Sequence, residues 1–375
     1  MAYYPIFYTV KDKKTAQIKS VADDKSEKRG DPMHAIRKRK LRRGQRILLA
    51  ALLCISFSCV PVWAQESEQT LIPLGQPVGI KLFADGVLVV STSQLENDGA
   101  VSSPARECGL KEGDLIIRMN REKVRSTEHV QEILRESGGK PVVLEIRRGS
   151  KIIETDAVPV RCDDDVCRLG AWIRDSMAGI GTMTYYDPAS GTFGALGHGI
   201  TDVDTAALMP LSSGSIMETT VRAVKKGNRG EPGELKGDFS VQRDVGTLHS
   251  NTSEGIFGTV EDKSFPCSGE AMPIARRADI HTGPASIRST VRDDAVEEYA
   301  VEIERIYSGT QPARNLMVHI TDPRLLESTG GIVQGMSGSP IIQDGKLVGA
   351  VTHVLVNDPT RGYGILIENM LRAAE

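Results

Sequence analysis

The sequence predicts three regions: an apolar N-terminal segment, a small α+β module, and a mostly β domain in the C-terminal half. A basic stretch precedes an uncharged apolar run near the N-terminus. In the middle, an amphipathic helix pattern lies between short strand patterns. After about residue 168, short β-like runs alternate with Gly, Ser, Thr and Pro, which is typical of a barrel or sandwich. A chain of 375 residues has room for two or three such domains.

The N-terminal segment has the features of an export signal. "RKRKLRRGQR" is followed by "ILLAALLCISFSCVPVWA", which carries no charge and ends at Ala64 in a sequence that resembles a signal-peptidase site. An uncleaved anchor is the alternative, because a run of this length just spans a bilayer and its basic flank would stay cytoplasmic. We therefore predict a signal peptide or anchor helix at 33–64 that holds the protein at a membrane before processing, and an exported remainder. Residues 1–32 are interpreted as a non-native or disordered extension.

Composition and cysteine spacing exclude two classes of site. Residues 1–64 carry 14 Lys and Arg against 5 Asp and Glu, whereas the rest of the chain carries 32 against 44. An acidic body of this kind argues against a nucleic-acid partner. Cys162 and Cys167 have no His or Cys pair at zinc-binding spacing around them, so no metal site is predicted. A small disulfide loop and two unrelated thiols both remain open for this pair.

The middle region predicts a compact α+β module at 77–160, after a short polar linker at 65–76. "VGIKLFADGVLVVS" contains an Asp-Gly pair between two apolar runs, which is a hairpin signal. "GDLIIRMN" and "PVVLEIRRGSKI" give further strands. "TEHVQEILRES" places its apolar residues on one face of a helix that ends at two glycines.

The stretch "SPARECGLKEGDLIIRMNREKVRS" resembles the core of PDZ domains in bacterial proteases. PDZ domains bind an extended peptide end by adding it to a sheet edge. The resemblance therefore implies a peptide ligand. It also implies a peptide-binding groove between the segment with Gly75, Gly79 and Ile80 and the helix residues Val130 and Leu134. A PDZ domain that acts only as a spacer is the alternative.

"GIVQGMSGSPII", residues 331–342, predicts a nucleophile loop around Ser337. A serine that attacks a carbonyl must be exposed, and backbone N–H groups must face the developing oxyanion. Glycines such as Gly335 and Gly338 let the chain bend sharply and approach a substrate closely. In this pattern the N–H groups of Gly335 and Ser337 would form the oxyanion hole. An ordinary turn before a strand is the alternative.

A nucleophilic serine needs a base and usually a carboxylate that orients the base. His198 stands in "FGALGHGITD" with a glycine on each side, as Ser337 stands near two glycines. Asp202 and Asp204 are close to His198 in sequence, and Asp322 precedes Ser337 by 15 residues. Spacing does not choose among the three aspartates, because triads assemble in space.

Two longer stretches resemble the SpoIVB peptidase family: "CRLGAWIRDSMAGIGTMTYYDPASGTFGALGHGITD" and "VHITDPRLLESTGGIVQGMSGSPIIQDGKLVGAVTHVLVNDPTRGYGI". The preceding PDZ-like module fits the same family order. The resemblance implies a mostly β, chymotrypsin-like barrel domain at 168–375 with serine endopeptidase activity of trypsin-like character and no cofactor. Carried over by motif, it implies a triad of His198, Asp322 and Ser337.

The same resemblance implies partners and a location. Members of the family are exported across the forespore membrane into the space between forespore and mother cell. They cleave themselves, and then cleave the regulatory subunit of an intramembrane metalloprotease complex, which triggers the sigma-K checkpoint of sporulation. Two other classes stay open: a quality-control PDZ protease, in which the protease usually comes first, and a non-catalytic PDZ adaptor, which the intact His198, Asp322 and Ser337 argue against.

Overall fold

The computed structural model describes most of the chain that follows the predicted signal segment. It covers residues 69–97, 99–309, 311 and 313–375. The signal segment predicted at 33–64 and the extension at 1–32 lie outside the described residues. Within those ranges the structure is mostly strand, as predicted, and none of its helices is long and apolar enough to cross a membrane.

The first elements in chain order open one barrel and then form a small α+β module. They are β1 (Thr70–Pro73), β2 (Pro77–Thr92), β3 (Leu95–Asn97), β4 (Ala100–Ser102), α1 (Pro104–Glu107), β5 (Leu115–Met119), β6 (Glu122–Lys123), α2 (Thr127–Ser137), β7 (Val142–Arg148), β8 (Lys151–Ala157), β9 (Val160–Arg161) and β10 (Cys167–Arg168). The second half of β2 pairs with β5, which continues through β7 to β8. Helix α2 packs its apolar face on this sheet, as its sequence pattern predicts. Cys162 and Cys167 are free thiols.

The next elements complete the first barrel. They are β11 (Ala171–Asp187), β12 (Thr192–Ala195), β13 (Leu211–Lys225), β14 (Glu234–Thr252), β15 (Gly255–Val260), β16 (Met272–Pro273) and a 3-10 turn (Arg277–Asp279). The order β2–β11–β12–β15–β14–β13 returns to β2, so six strands close on themselves. The interior is filled by apolar side chains, among them Val78, Ile80, Met183, Phe193 and Ile216. Closure leaves these strands few free edges.

The last elements form a second closed barrel. They are β17 (Gly283–Ser289), β18 (Glu297–Ile306), β19 (Leu316–Ile320), α3 (Pro323–Thr329), β20 (Pro340–Gln343), β21 (Lys346–Leu355), β22 (Asp358–Leu366) and α4 (Ile367–Ala374). The strand order is β17–β18–β19–β22–β21–β20. β18 shows the expected period of two, because Tyr299, Val301 and Ile303 are buried while their neighbours face solvent. The predicted mostly β, chymotrypsin-like barrel architecture is therefore confirmed.

The structure differs from the predicted domain boundaries at the start of the PDZ-like module. The segment predicted as the linker 65–76 contains β1, which pairs with β11 and β16 of the first barrel. The hairpin predicted at Asp85-Gly86 is wrong, since β2 continues through it as one strand of 16 residues. The first half of β2 pairs with β11 on one edge and β13 on the other, and these tertiary partners override the local turn signal. The α+β module is thus inserted between two barrel strands.

Candidate active site

Ser337 lies in the turn that leads into β20, where the second barrel meets the first. Gly335 and Gly338 both adopt positive φ, +98° and +101°, which few other residues tolerate. At Gly338 a Cβ atom would lie 2.0 Å from the carbonyl oxygen of Thr182 on β11. The glycines therefore have two roles: they allow the sharp turn, and they allow this turn to lie close to β11.

Within this turn Ser337, and not Ser339, is accessible. Ser337 is half-buried, and its Oγ donates to the carbonyl oxygen of Thr352 at 2.7 Å. Its own carbonyl accepts from the Thr182 N–H at 3.0 Å, which fastens the turn to β11. Ser339 is fully buried and its hydroxyl bonds that of Ser289. A substrate can reach only the first of the two hydroxyls.

The two backbone donors predicted for an oxyanion hole are unpaired. Among the hydrogen bonds of the described residues, neither the Gly335 N–H nor the Ser337 N–H donates to another group. The Gly335 carbonyl is held by the Thr182 hydroxyl at 2.7 Å, which fixes this part of the loop. Both residues line one cavity, so both donors are available to a substrate there.

His198 follows the end of β12 in the first barrel. Its Nδ1 lies 2.9 Å from the Gly199 carbonyl oxygen, which can only accept, so Nδ1 carries the hydrogen. The lone pair is then on Nε2, the atom a general base needs. Burial lowers the pKa of His198, and the bond to Gly199 opposes this in part. His198 is therefore neutral at neutral pH and can accept a proton.

A cavity of about 370 Å³ brings these groups together. Its wall includes His198, Gly335 and Ser337, and the rest is contributed by Ile80, Met177, Ala178, Gly179, Ile180, Leu196, Gly199, Ile200, Thr201, Val203 and Gln334. Each barrel supplies one of the two reacting side chains. This is an arrangement in which a serine can attack a bound carbonyl while a neighbouring imidazole takes its proton.

The structure does not bring Asp322 to His198. Asp322 caps the N-terminus of α3, where its carboxylate accepts from the Arg324 N–H and guanidinium and from the Ala300 N–H. Arg324 is the main reason that the pKa of Asp322 falls to about 2. The Gly199 carbonyl holds the imidazole in its place. The orienting role that the family resemblance implies for Asp322 stays a prediction.

The two other candidate aspartates also serve elsewhere. Asp202 is fully buried; it accepts from the Thr205 N–H and hydroxyl and forms an ion pair with Arg174 of β11. Asp204 pairs with the same arginine. These bonds hold the loop that follows His198, and no hydrogen bond between either carboxylate and the imidazole is found among the described residues.

His353 is a site residue that the sequence reasoning missed. It lies on β21 directly after Thr352, and its ring centroid is 4.9 Å from that of His198. Burial, with the neighbouring His198 and Arg314, lowers the pKa of His353 to about 4. Its Nδ1 is buried and has no hydrogen-bond partner in the described part of the chain. Only the pairing of β21 in space places it here, so no local motif could have indicated it.

The predicted peptide groove of the PDZ-like module is not formed. Gly79 and Ile80 pair with β11 on one side and β13 on the other, so neither edge is open to a peptide. Gly75 belongs to the barrel, where its N–H bonds the Met183 carbonyl. Val130 and Leu134 are buried in the core of the module. The five residues therefore do not meet, because Gly75 and the β2 residues Gly79 and Ile80 belong to the first barrel and not to the module.

Comparison with known proteins agrees with the two-part organisation. The sequence model of the family SpoIVB peptidase S55 matches residues 165–371, and that of a PDZ domain matches residues 98–148. Among solved structures, the Rv3671c protease in an inactive form is similar at 13% identity and a TM-score of 0.30, over 52% of this chain and 81% of that one.

A second structure of Rv3671c, from M. tuberculosis H37Rv and with a serine-to-alanine substitution, matches at 13% identity and a TM-score of 0.29 over the same shares of both chains. The assignment of the family rests on the sequence match, which spans more than half of the chain and includes both His198 and Ser337. The protein is a serine endopeptidase that belongs to the SpoIVB peptidase S55 family.

Proposed function

We propose that Ser337 is the nucleophile and His198 the general base of this endopeptidase. The observation that carries the proposal is the single cavity that joins the Ser337 hydroxyl, the His198 imidazole and the unpaired N–H groups of Gly335 and Ser337. Attack requires the Ser337 hydroxyl to turn from the Thr352 carbonyl to His198 Nε2. The imidazole then passes the proton to the leaving amine, while the two N–H groups hold the oxyanion.

The orientation of His198 has two candidate sources. The Gly199 carbonyl accepts from Nδ1–H and favours the tautomer that catalysis needs. The family resemblance assigns the same task to Asp322, which would have to leave Arg324 to perform it. A carboxylate stabilises the imidazolium of the transition state more than a neutral carbonyl does. Turnover would therefore be faster with Asp322 bound to His198 than with the Gly199 carbonyl alone.

The biological role proposed for the protein is limited proteolysis at a sporulation checkpoint. Membership of the family supports self-cleavage followed by cleavage of a regulatory subunit of an intramembrane metalloprotease complex, after export into the space between forespore and mother cell. The inserted PDZ module supports a protein substrate. Quality-control proteases usually carry a PDZ domain after the protease. The position of the module here, between two strands of the first barrel, counts against that alternative.

A fluorophosphonate probe tests the catalytic proposal. The purified exported region should be labelled, Ser337→Ala should not be, and His198→Gln should be labelled far more slowly. An unlabelled wild-type protein would support the alternative of a non-catalytic adaptor. For self-cleavage, active protein is mixed with a tagged Ser337→Ala copy, and fragments of the tagged copy are followed by mass spectrometry. A tagged copy that stays intact contradicts self-cleavage between molecules.

A further inference from the structure

We infer that the catalytic cavity selects an uncharged aliphatic side chain of an extended substrate, and that the substrate main chain docks on the free edge of β11. This inference rests on the proposed function, since it assigns a substrate class to the same site. It departs from the trypsin-like character implied by the family resemblance.

The outer edge of β11 is open just before Ser337. On one side β11 pairs with β2 up to Thr182, but on the other side β12 joins only from Met183 onward. The outward N–H and C=O of Thr182 bond the Ser337 carbonyl and the Leu196 N–H. Because main-chain groups alternate along a strand, those of Ile180 and Ala178 point to the same edge.

These outward groups are available for a ligand. In the described part of the chain, no hydrogen bond is found for the outward N–H and C=O of Ile180 or Ala178. Ala178 and Gly179 are exposed, and their small side chains leave room for a neighbouring strand. An open strand edge is a template for an extended peptide, which gains main-chain hydrogen bonds from it. A peptide in this position runs directly to Ser337.

The cavity beside this edge is lined mainly by aliphatic side chains, apart from the catalytic groups. Among the described residues, no Asp, Glu, Lys or Arg lines it. Two acidic residues next to the lining residues Thr201 and Val203 are neutralised, because Asp202 and Asp204 both pair with Arg174. A pocket that takes Lys or Arg needs an acidic group at its base. Burying an unpaired substrate charge here would cost far more than burying an aliphatic side chain.

A second cavity of about 520 Å³ lies across the same edge. It shares the β11 segment 178–180 and Gly335 with the first, but its lining adds Glu234 and Lys236. Side chains of a docked strand point alternately to its two faces. An aliphatic side chain in the first cavity can therefore be followed by a polar one in the second. The substrate class is an extended segment that must carry an aliphatic side chain at the position bound in the first cavity. The next position can carry either a polar or an apolar side chain.

Quenched peptides that differ at one position test this selectivity. Each peptide consists of Ala and Ser around one central scissile bond, and a single position is varied. That position is one of the four on either side of the bond, and it carries Leu, Lys or Asp. We expect at least one position at which Leu exceeds both charged residues in kcat/KM by about tenfold or more. Val203→Asp, at a rim residue that is 79% exposed, should raise the Lys-to-Leu ratio by about tenfold at that position. Val101→Asp, 61% exposed on β4, is the matched control and should leave the ratio unchanged.

Binding to the Ser337→Ala protein separates this inference from the proposed catalytic role. The same peptides, labelled with a fluorophore, are titrated by anisotropy, and fluorophosphonate labelling of the wild type is measured in parallel. Preferential binding of the Leu peptide supports the inference even if labelling fails, in which case only the catalytic proposal falls. Three binding results overturn the inference when the wild type is labelled efficiently. They are equal affinity for all peptides, no measurable affinity for any of them, and a preference for the Lys or Asp peptide.

Discussion

Replacing Asp322 with Asn should lower the stability of the protein by about 2 kcal/mol at neutral pH. In the structure the carboxylate caps α3 and bonds the Arg324 guanidinium, which depresses its pKa from the ordinary 3.8 to about 2. One pKa unit corresponds to about 1.4 kcal/mol, so a shift of nearly two units stabilises the folded state by roughly 2 kcal/mol. Asn keeps an acceptor for the cap but loses the charge.

The pH dependence follows from the sign of the shift. A depressed pKa means that the stabilisation is complete above the unfolded value near 4 and is lost as the pH falls towards about 2. Urea unfolding of wild type and Asp322→Asn should therefore differ by about 2 kcal/mol at pH 7 and by less than about half of that near pH 2.5, because the stabilisation disappears only below pH 2. Asp238→Asn removes an exposed carboxylate that pairs with Arg222 and is the control, with a cost under about 0.5 kcal/mol. An Asp322→Asn cost that is equal at both pH values refutes the reasoning.

The same variant separates the structural role of Asp322 from the catalytic one. If the carboxylate only caps α3, the folded fraction of Asp322→Asn should label with fluorophosphonate at nearly the wild-type rate. If it also orients His198, turnover should fall by about ten-thousandfold, as for the aspartate of known triads. Measuring the rate per folded molecule, well below the unfolding transition, keeps the two effects apart.

Four further outcomes are expected. Ser337→Ala should lose labelling and self-processing while Ser339→Ala keeps substantial labelling, because Ser339 is buried; normal activity of purified Ser337→Ala contradicts this. The kcat/KM of the wild type should rise with pH through a midpoint below 6.5, since burial lowers the pKa of His198; a higher midpoint contradicts it. His353→Lys should cut kcat/KM at least about tenfold by opposing the protonation of His198, and an equal loss in His353→Gln would point to packing instead. Gly338→Ala should cost more than about 3 kcal/mol in urea unfolding, because its Cβ would meet a carbonyl at 2.0 Å, and wild-type stability would contradict this.

What the sequence revealed depended on how local each signal was. The loop at Ser337 and the turn at His198 are marked by adjacent glycines, and the structure places both at one cavity. Helix α2 was visible from its apolar period and its glycine cap. His353 was not, because its approach to His198 depends on the pairing of β21 within a barrel. Local sequence patterns indicate turns and helices. Which side chains meet in the folded protein depends on pairing between strands that are far apart in the sequence.

The strand β2 shows why the domain boundary was misplaced. An Asp-Gly pair normally closes a hairpin, but here the chain continues because β11 and β13 both pair with the preceding residues. At Gly86 the backbone takes φ +123° and approaches the Ile116 carbonyl, where a Cβ would be only 2.5 Å away. The glycine thus allows contact between strands and not a reversal of the chain. A single sequence does not distinguish these two uses of the same residue.

The insertion of the α+β module between β2 and β11 makes it exchangeable. Thr92, at the end of β2, is the register partner of Ala171, at the start of β11, so the two points where the module joins the barrel lie side by side. A fragment that begins at residue 168 lacks β1 and β2 and cannot close the first barrel. A chain in which a two-residue Asn-Gly turn replaces residues 93–170 keeps every barrel strand and joins β2 to β11 as a hairpin. The same junction would accept a different inserted domain, so the module and the peptide-cleaving barrels can be altered independently.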